Sequence, residues 1–415
     1  MSEKKFTFID LFAGCGGLSE GFLRSGHFEG IAHIEWELPM VETLRNRLNK
    51  NWNHTIEESK KAVVHFDLQK SYELINGKWT KETITLFGKT NHDDLLNNGL
   101  KGLVGKKKVD VIIGGPPCQA YSIAGRAQDS NSMKDDYRNY LFESFVDVVK
   151  FFKPRCFVFE NVPGILSACP GNVKVTERIS NAFKGIGYKI LRPNELKSAV
   201  LTASDYGVPQ KRNRLIIIGL KESDPLDLNQ IYNSIKSEAG KIPTKTVEDT
   251  IKNLPVLKPL SSAQKVNGKR FSHYSIESED NIKHHEPRYH NERDINIFYN
   301  WINKKMNKKS NFEKIEFYNN LMGKKSNHAK YRNLEWDKPS PTIVAHLYKD
   351  GLMFIHPDKE QSRSITVKEA ALLQSFPDDF EFIGSQGVCF KMIGNAVPPK
   401  MAEVLANKIY EQLKN

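Results

Sequence analysis

Hydrophobic positions in the first half of the chain fall into short β-branched runs separated by stretches with helical spacing. Phe6 to Phe12 reads as a strand that passes through Ala13-Gly14-Cys15-Gly16-Gly17 into a helix from about Leu18 to Ser25. Gly30 to Ile34 is a second strand ending in Glu35-Trp36-Glu37, and Pro39 sits at the start of a helix running to about Lys50. Val63 to Phe66 is a third, closed by Asp67. Val109 to Ile113 alternates too little for an amphipathic helix and predicts a buried strand, stopped by Gly114-Gly115-Pro116-Pro117. A helix over Tyr140 to Phe152, a strand over Cys156 to Phe159 that delivers Glu160, a helix around Val175 to Lys184 and a strand over Leu215 to Leu220 follow. This alternation predicts an α/β fold.

Two stretches interrupt it. Leu68 to Lys108 is polar and rich in Gly, Asn and Lys, and predicts a partly helical insertion with a solvated surface. Ile123 to Asp136 is rich in Ser, Asp and Asn and predicts a mobile loop beside Cys118. After Leu220 the alternation fails. Order returns with Trp336 to Thr342, a helix over Thr366 to Ser375, and an amphipathic helix that ends near Leu413.

Charge changes this picture more than bulk composition does. The chain of 415 residues carries a formal charge of +12, which points to a polyanionic partner. Lys241 to Glu335 holds 19 Lys+Arg against 11 Asp+Glu, so it supplies +8 of that charge. Tyr274, Tyr289, Phe298, Tyr299, Trp301 and Tyr331 interleave with the cations, as a nucleic-acid surface requires. Five scattered cysteines without CxxC spacing argue against both a disulfide framework and a zinc site, and His284, His285 and His290 lack a second ligand cluster. No metal is expected. No apolar run approaches a membrane span and no signal peptide is evident, so a cytoplasmic protein is expected.

The candidate chemistry lies at strand ends, where ligands bind in open α/β sheets. Cys118 follows a stiff Gly/Pro loop; its competing reading is a small buried hydrophobe. The glycine turn offers backbone N–H groups, but Ser19 stands where a dinucleotide fingerprint has its third glycine or alanine. Glu35 is where such folds hold a ribose, and Trp36 offers an indole to a purine. Arg212 and Arg214, two apart beside a strand, should point the same way.

Phe12-Ala-Gly-Cys-Gly-Gly17, Gly115-Pro-Pro-Cys-Gln119, Glu160-Asn-Val162, Gln210-Lys-Arg-Asn-Arg214, Lys338-Pro-Ser-Pro-Thr342, Gln374-Ser-Phe-Pro377 and Gly394-Asn-Ala-Val-Pro398 occur in one order along the chain. With them the chain resembles the DNA cytosine-5 methyltransferase family over nearly its whole length. Tyr121 departs from the more usual Phe, and the insertion before Val109 is long. The resemblance implies a Rossmann-like S-adenosylmethionine-dependent methyltransferase domain, residues 1–240 completed by 385–415. It further implies a smaller, irregular target-recognition domain, 241–362, and a hinge, 363–384.

It also implies methyl transfer to C5 of a flipped cytosine in a specific double-stranded DNA sequence, through a covalent bond from Cys118 to C6. Glu160, Arg212 and Arg214 would serve the base. Phe12, Ala13, Gly14, Cys15, Gly16, Gly17, Leu18, Glu35, Trp36, Asp67, Leu68, Pro116, Leu141, Asn395 and Val397 would hold S-adenosylmethionine. Gln119, Ser122, Arg126 and Gln210 would touch DNA. A monomer is expected, paired with a cognate restriction endonuclease acting on the same site. RNA cytosine methylation, an inactive DNA-binding module and a nicotinamide oxidoreductase are the competing readings.

Overall fold

The computed structural model describes residues 4–117, 141–275, 282–323 and 325–414. Its largest sheet has the order β3-β2-β1-β4-β5-β9-β6, with β7 also paired to β9. The strands are β1 (Phe6–Leu11), β2 (Phe28–Glu35), β3 (Val63–His65), β4 (Val111–Gly114), β5 (Cys156–Asn161), β6 (Tyr188–Lys189), β7 (Val200–Thr202), β8 (Gln210–Lys211) and β9 (Asn213–Lys221). The first five run parallel, and β6, β7 and β5 each pair antiparallel with β9. The central strands are continuous apolar runs because helices cover both faces, and Val111 to Ile113 and Phe157 to Phe159 are fully buried.

The C-terminal helix, Pro399–Leu413, returns to the first helix, Gly17–Arg24. A Cβ on Gly21 would lie 2.3 Å from that of Ala402, so only glycine permits the approach. The last residues therefore complete the main core, to which Val397, Met401, Leu405 and Ile409 contribute.

The insertion departs from the solvated surface expected of it. Its helices Ser71–Asn76, Lys81–Phe87 and Asp93–Val104 bury Leu74, Ile75, Phe87, Leu95, Leu100 and Val104 in the main core, and Trp79 joins them from the connection between the first two. The polar composition hid these positions because only one face of each helix is apolar. No helix among the described residues is long and apolar enough to cross a membrane.

A second core draws on Val247, Ile251, Leu334, Ile343, Ile365, Leu373, Phe376, Phe380, Phe390 and Ile393, together with Cys15 and Met40. The segment 363–384, expected as a hinge, contributes Ile365, Leu373, Phe376 and Phe380 to this core. Its anchor is a fully buried pair, Arg363 Nη2 to Glu369 Oε1 at 2.7 Å and Nη1 to Oε2 at 2.7 Å. A smaller core around Phe298, Trp301, Tyr331 and Ile355 adjoins a two-stranded sheet of β10 (Leu257–Val266) and β11 (Lys269–Ser275). A short strand β12 (Ser340–Pro341) pairs with β8. The predicted loop over Ile123 to Asp136 lies outside the described residues.

Candidate active site

Strand order reverses between β1 and β4, which places the carboxyl ends of β1, β2, β4 and β5 on one rim. β9 runs antiparallel to β5, so its amino end shares that rim. Ile216 pairs with Glu160, and Arg214, two residues earlier, falls on the same face as Ile216. The Arg214 Nε accordingly stands 2.6 Å from Glu160 Oε1.

Burial raises the pKa of the Glu160 carboxyl; Arg214 and then Arg212 partly offset the shift. Its other oxygen lies 2.6 Å from the position a Cβ on Gly115 would take. Asn161 Nδ2 donates to the Pro116 carbonyl at 3.3 Å. Glu160 and Asn161 thus brace the Gly115-Pro116-Pro117 loop that leads directly into Cys118. Cys118, Gln119, Ser122 and Arg126 lie outside the described residues.

Arg212 and Arg214 both act on the Glu160 carboxyl but differ in their hydrogen-bond partners. Arg212 is fully buried and donates to the carbonyls of Ile343 at 2.7 Å and Gly394 at 2.8 Å. Those bonds tie the residue just before β9 to the second core and bury the side chain that was expected at the base. Gln210, expected to touch DNA, lies inside the protein. It is fully buried, accepts from Ile343 N at 3.0 Å and donates to Gln374 Oε1 at 2.5 Å and Leu373 O at 3.3 Å.

At the glycine turn, Phe12, Gly14 and Gly16 have φ of 57°, 57° and 93°. A Cβ on Gly16 would meet Leu44 at 2.5 Å and one on Gly17 would meet the Val397 carbonyl at 2.3 Å, whereas nothing stands within 4 Å of Gly14. The turn is packed from behind and open in front of Gly14. Glu35 is buried beside it, Oε2 accepting from Gly14 N at 2.8 Å and Oε1 from Trp36 N at 2.8 Å and Glu37 N at 2.9 Å. Burial nevertheless pushes its carboxyl up to about 7. Trp36 is 54% exposed.

Asp67 is half-buried and caps the turn Leu68–Lys70 by accepting from Gln69 N, while Leu68 is core. Ala13, Leu18, Pro116 and Leu141 are buried, and Asn395 is exposed at the end of the helix Gln386–Asn395. The Cys15 thiol faces away from the turn, 3.9 Å from the Met392 carbonyl. An open glycine turn, a buried acid and an exposed indole fit a nucleoside: hydroxyls on the acid, a purine on the indole, and no requirement for a cation.

Sequence reading missed a buried triad under this turn. Ser19 Oγ lies 2.5 Å from Asp10 Oδ2 and 2.7 Å from His33 Nδ1, and all three residues are buried. Ser19 was noticed only as a break in a fingerprint; its position one helical turn behind a strand-end glycine was the available signal. Among the described residues no group of three or more His, Cys, Asp or Glu is placed to hold a metal ion. His285 and His290 instead bond Thr366 and Ser364.

The model for the C-5 cytosine-specific DNA methylase family matches residues 6–78 and 67–411. The type II methyltransferase M.Bpa9945I of Bacillus paralicheniformis is 36% identical, with 97% of this chain and 98% of that protein covered. The type II methyltransferase M.DdeI of Desulfomicrobium norvegicum is 31% identical over 98% of this chain and 89% of its own. Among solved structures, one described as a DNA modification methyltransferase encoded within a prophage (E. coli) is similar with a TM-score of 0.61. It is 25% identical, and 99% of this chain and 100% of that chain are covered.

Proposed function

The chain belongs to the C-5 cytosine-specific DNA methylase family and is a DNA cytosine-5 methyltransferase, and from that premise we propose its cofactor, its covalent chemistry and the residues that carry them. The methyl donor is S-adenosylmethionine, held along Phe12 to Leu18 with Glu35 on the ribose hydroxyls and Trp36 on the purine. When bound, it supplies an electrophilic methyl group. It carries no phosphate, so the turn can do without a third glycine at Ser19.

Cytosine C5 is a weak nucleophile. The Cys118 thiolate adds to C6, which moves electron density to C5 and N3. Glu160, whose pKa burial raises against the pull of Arg214, donates its proton to N3 as that charge develops. Arg214 holds the Glu160 carboxyl in place and offers its remaining N–H groups to the O2 side of the base. After methyl transfer, loss of the C5 proton and elimination of the thiolate from C6 release the product. A paired base hides both faces of C5 and C6, so the target flips out of the duplex at a cost of roughly a few kcal/mol.

Residues 1–240 with the C-terminal helix hold the cofactor and the base, and the basic segment within 241–362 recognises a specific duplex sequence. The protein acts as a monomer and is the modification partner of a restriction endonuclease.

The observation that carries this reading is the buried Glu160 carboxyl, 2.6 Å from the Arg214 Nε and seated against Gly115 three residues before Cys118. Incubation with methyl-labelled cofactor and mixed-sequence duplex should place label on cytosine C5, and Cys118→Ala should abolish it. Label on adenine or on the cytosine amine refutes the reading.

A further inference from the structure

β10 and β11 form a two-stranded antiparallel ribbon with no further strand on either edge among the described residues. Asn267 and Gly268, with φ of 48° and 80°, join them, the pattern of a tight hairpin turn. Every residue from Ser261 to Arg270 is exposed, on both faces of the ribbon. A two-stranded hairpin is marginal by itself in water, so a tip with no buried face depends on its root for order.

That root is firmly held. Leu257 N donates to Gln361 Oε1 at 3.1 Å, and the buried His273 ring bonds the Gln361 carbonyl at 2.9 Å. The same Gln361 Oε1 accepts from Arg363 Nη2 at 2.7 Å, and Arg363 forms the bidentate pair with Glu369. The register shift between Pro259 and Gln264 then bends the strand as it leaves the body.

The ribbon from Leu257 to Ser275 contains Lys258, Lys265, Lys269 and Arg270 and no Asp or Glu. Lys269 is answered by Glu286, and the Arg270 guanidinium lies 5.8 Å over the Tyr289 ring. Lys265 and Arg270 are direct cross-strand partners, so two like charges share one face. Such a pair is unfavourable by itself and favourable against a polyanion.

The tip residues Ser261 to Arg270 include no aromatic on which an unpaired base would stack, which disfavours single-stranded nucleic acid. Val266 is the only large apolar residue there, which disfavours a protein partner. The major groove of B-form DNA, about 12 Å wide, admits a two-stranded ribbon, and Gln, Lys and Arg are the side chains that read its base edges.

We propose that the β10–β11 ribbon enters the major groove of the target duplex and that Gln264, Lys265 and Arg270 set the recognised sequence. The assignment rests on the reading of the chain as a methyltransferase of duplex DNA.

The test uses the full-length protein with Lys265→Ala and Arg270→Ala combined, and separately Gln264→Ala. Three readouts apply: duplex affinity as a function of salt, isothermal titration of S-adenosylmethionine, and bisulfite sequencing of DNA from expressing cells. The double variant should keep the melting temperature and cofactor affinity of the parent, lose about tenfold or more in duplex affinity, and relax the methylated sequence. Gln264→Ala should change the sequence with a smaller loss of affinity. An unchanged methylated sequence in both variants overturns the assignment, whether or not affinity falls. Tighter binding of the parent to duplex RNA than to duplex DNA overturns it too. Failure of the parent protein to methylate any duplex refutes the underlying functional reading instead.

Discussion

The Oε2 atom of Glu160 lies 2.6 Å from where a Cβ on Gly115 would stand. The acid on β5 and the loop before Cys118 therefore fix each other's position, and the loop needs glycine for want of space. Gly115→Ala should push the Glu160 carboxyl away from Arg214 and lower kcat by about tenfold or more, an effect of roughly 1.4 kcal/mol on the barrier. Thermal melting checks that the fold survives. A kcat equal to the parent's would show that the Gly115 contact does not position Glu160.

Glu160→Gln should reduce kcat by on the order of 10²–10⁴-fold, the usual worth of a positioned general acid. In the parent, activity that needs the neutral acid is present at low pH and falls as pH rises through the raised pKa of Glu160. Arg214 acts against burial by favouring the ionised form, so Arg214→Gln should move that alkaline limb to higher pH while lowering the maximum. The pH profile of kcat checks the direction. A limb that moves to lower pH contradicts the pairing as the source of the offset.

Ser19→Ala should leave the buried Asp10 carboxyl and His33 ring without their shared hydroxyl. The expected stability loss is about 1–3 kcal/mol, the cost of an unsatisfied buried polar group. Ser19 lies in the first turn of the helix that starts at Gly17. The KM for S-adenosylmethionine should rise, with kcat at saturation near the parent value. Steady-state kinetics beside urea unfolding separate the two effects.

Arg363→Met should be the most damaging change in the second core, because it leaves the Glu369 carboxylate buried without its bidentate partner. A loss of about 3–5 kcal/mol is expected in urea unfolding. The pKa of Glu369 is depressed by Arg363 and His356 against the cost of its burial. Its contribution is therefore full above the ordinary glutamate value of 4.5 and is lost as pH falls below it toward the depressed folded value. The parent should lose stability over that acidic range, and Arg363→Met should lose much less of what remains.

Local periodicity determined the parallel strands of the main sheet by itself. Apolar runs bounded by Gly, Pro and acidic residues marked the strands from Phe6, Val63, Val111, Cys156 and Leu215 to within about two residues. The ordered motifs determined the family. The strand-end positions of Glu35 and Glu160 were legible because a strand's carboxyl edge can be counted along the chain. Tertiary structure decided the rest. Arg214 meets Glu160 because β9 runs antiparallel to β5, and no spacing records that direction. Arg212 and Gln210 sit in the same motif as Arg214, yet their side chains bond Ile343, Gly394 and Gln374. The insertion's apolar faces and the core residues of 363–384 were hidden because composition averages over a helix, whereas burial selects one side of it. A residue's type and its position along the chain limit the chemistry it can do. Which partner fills its hydrogen bonds is settled only when distant segments close on it.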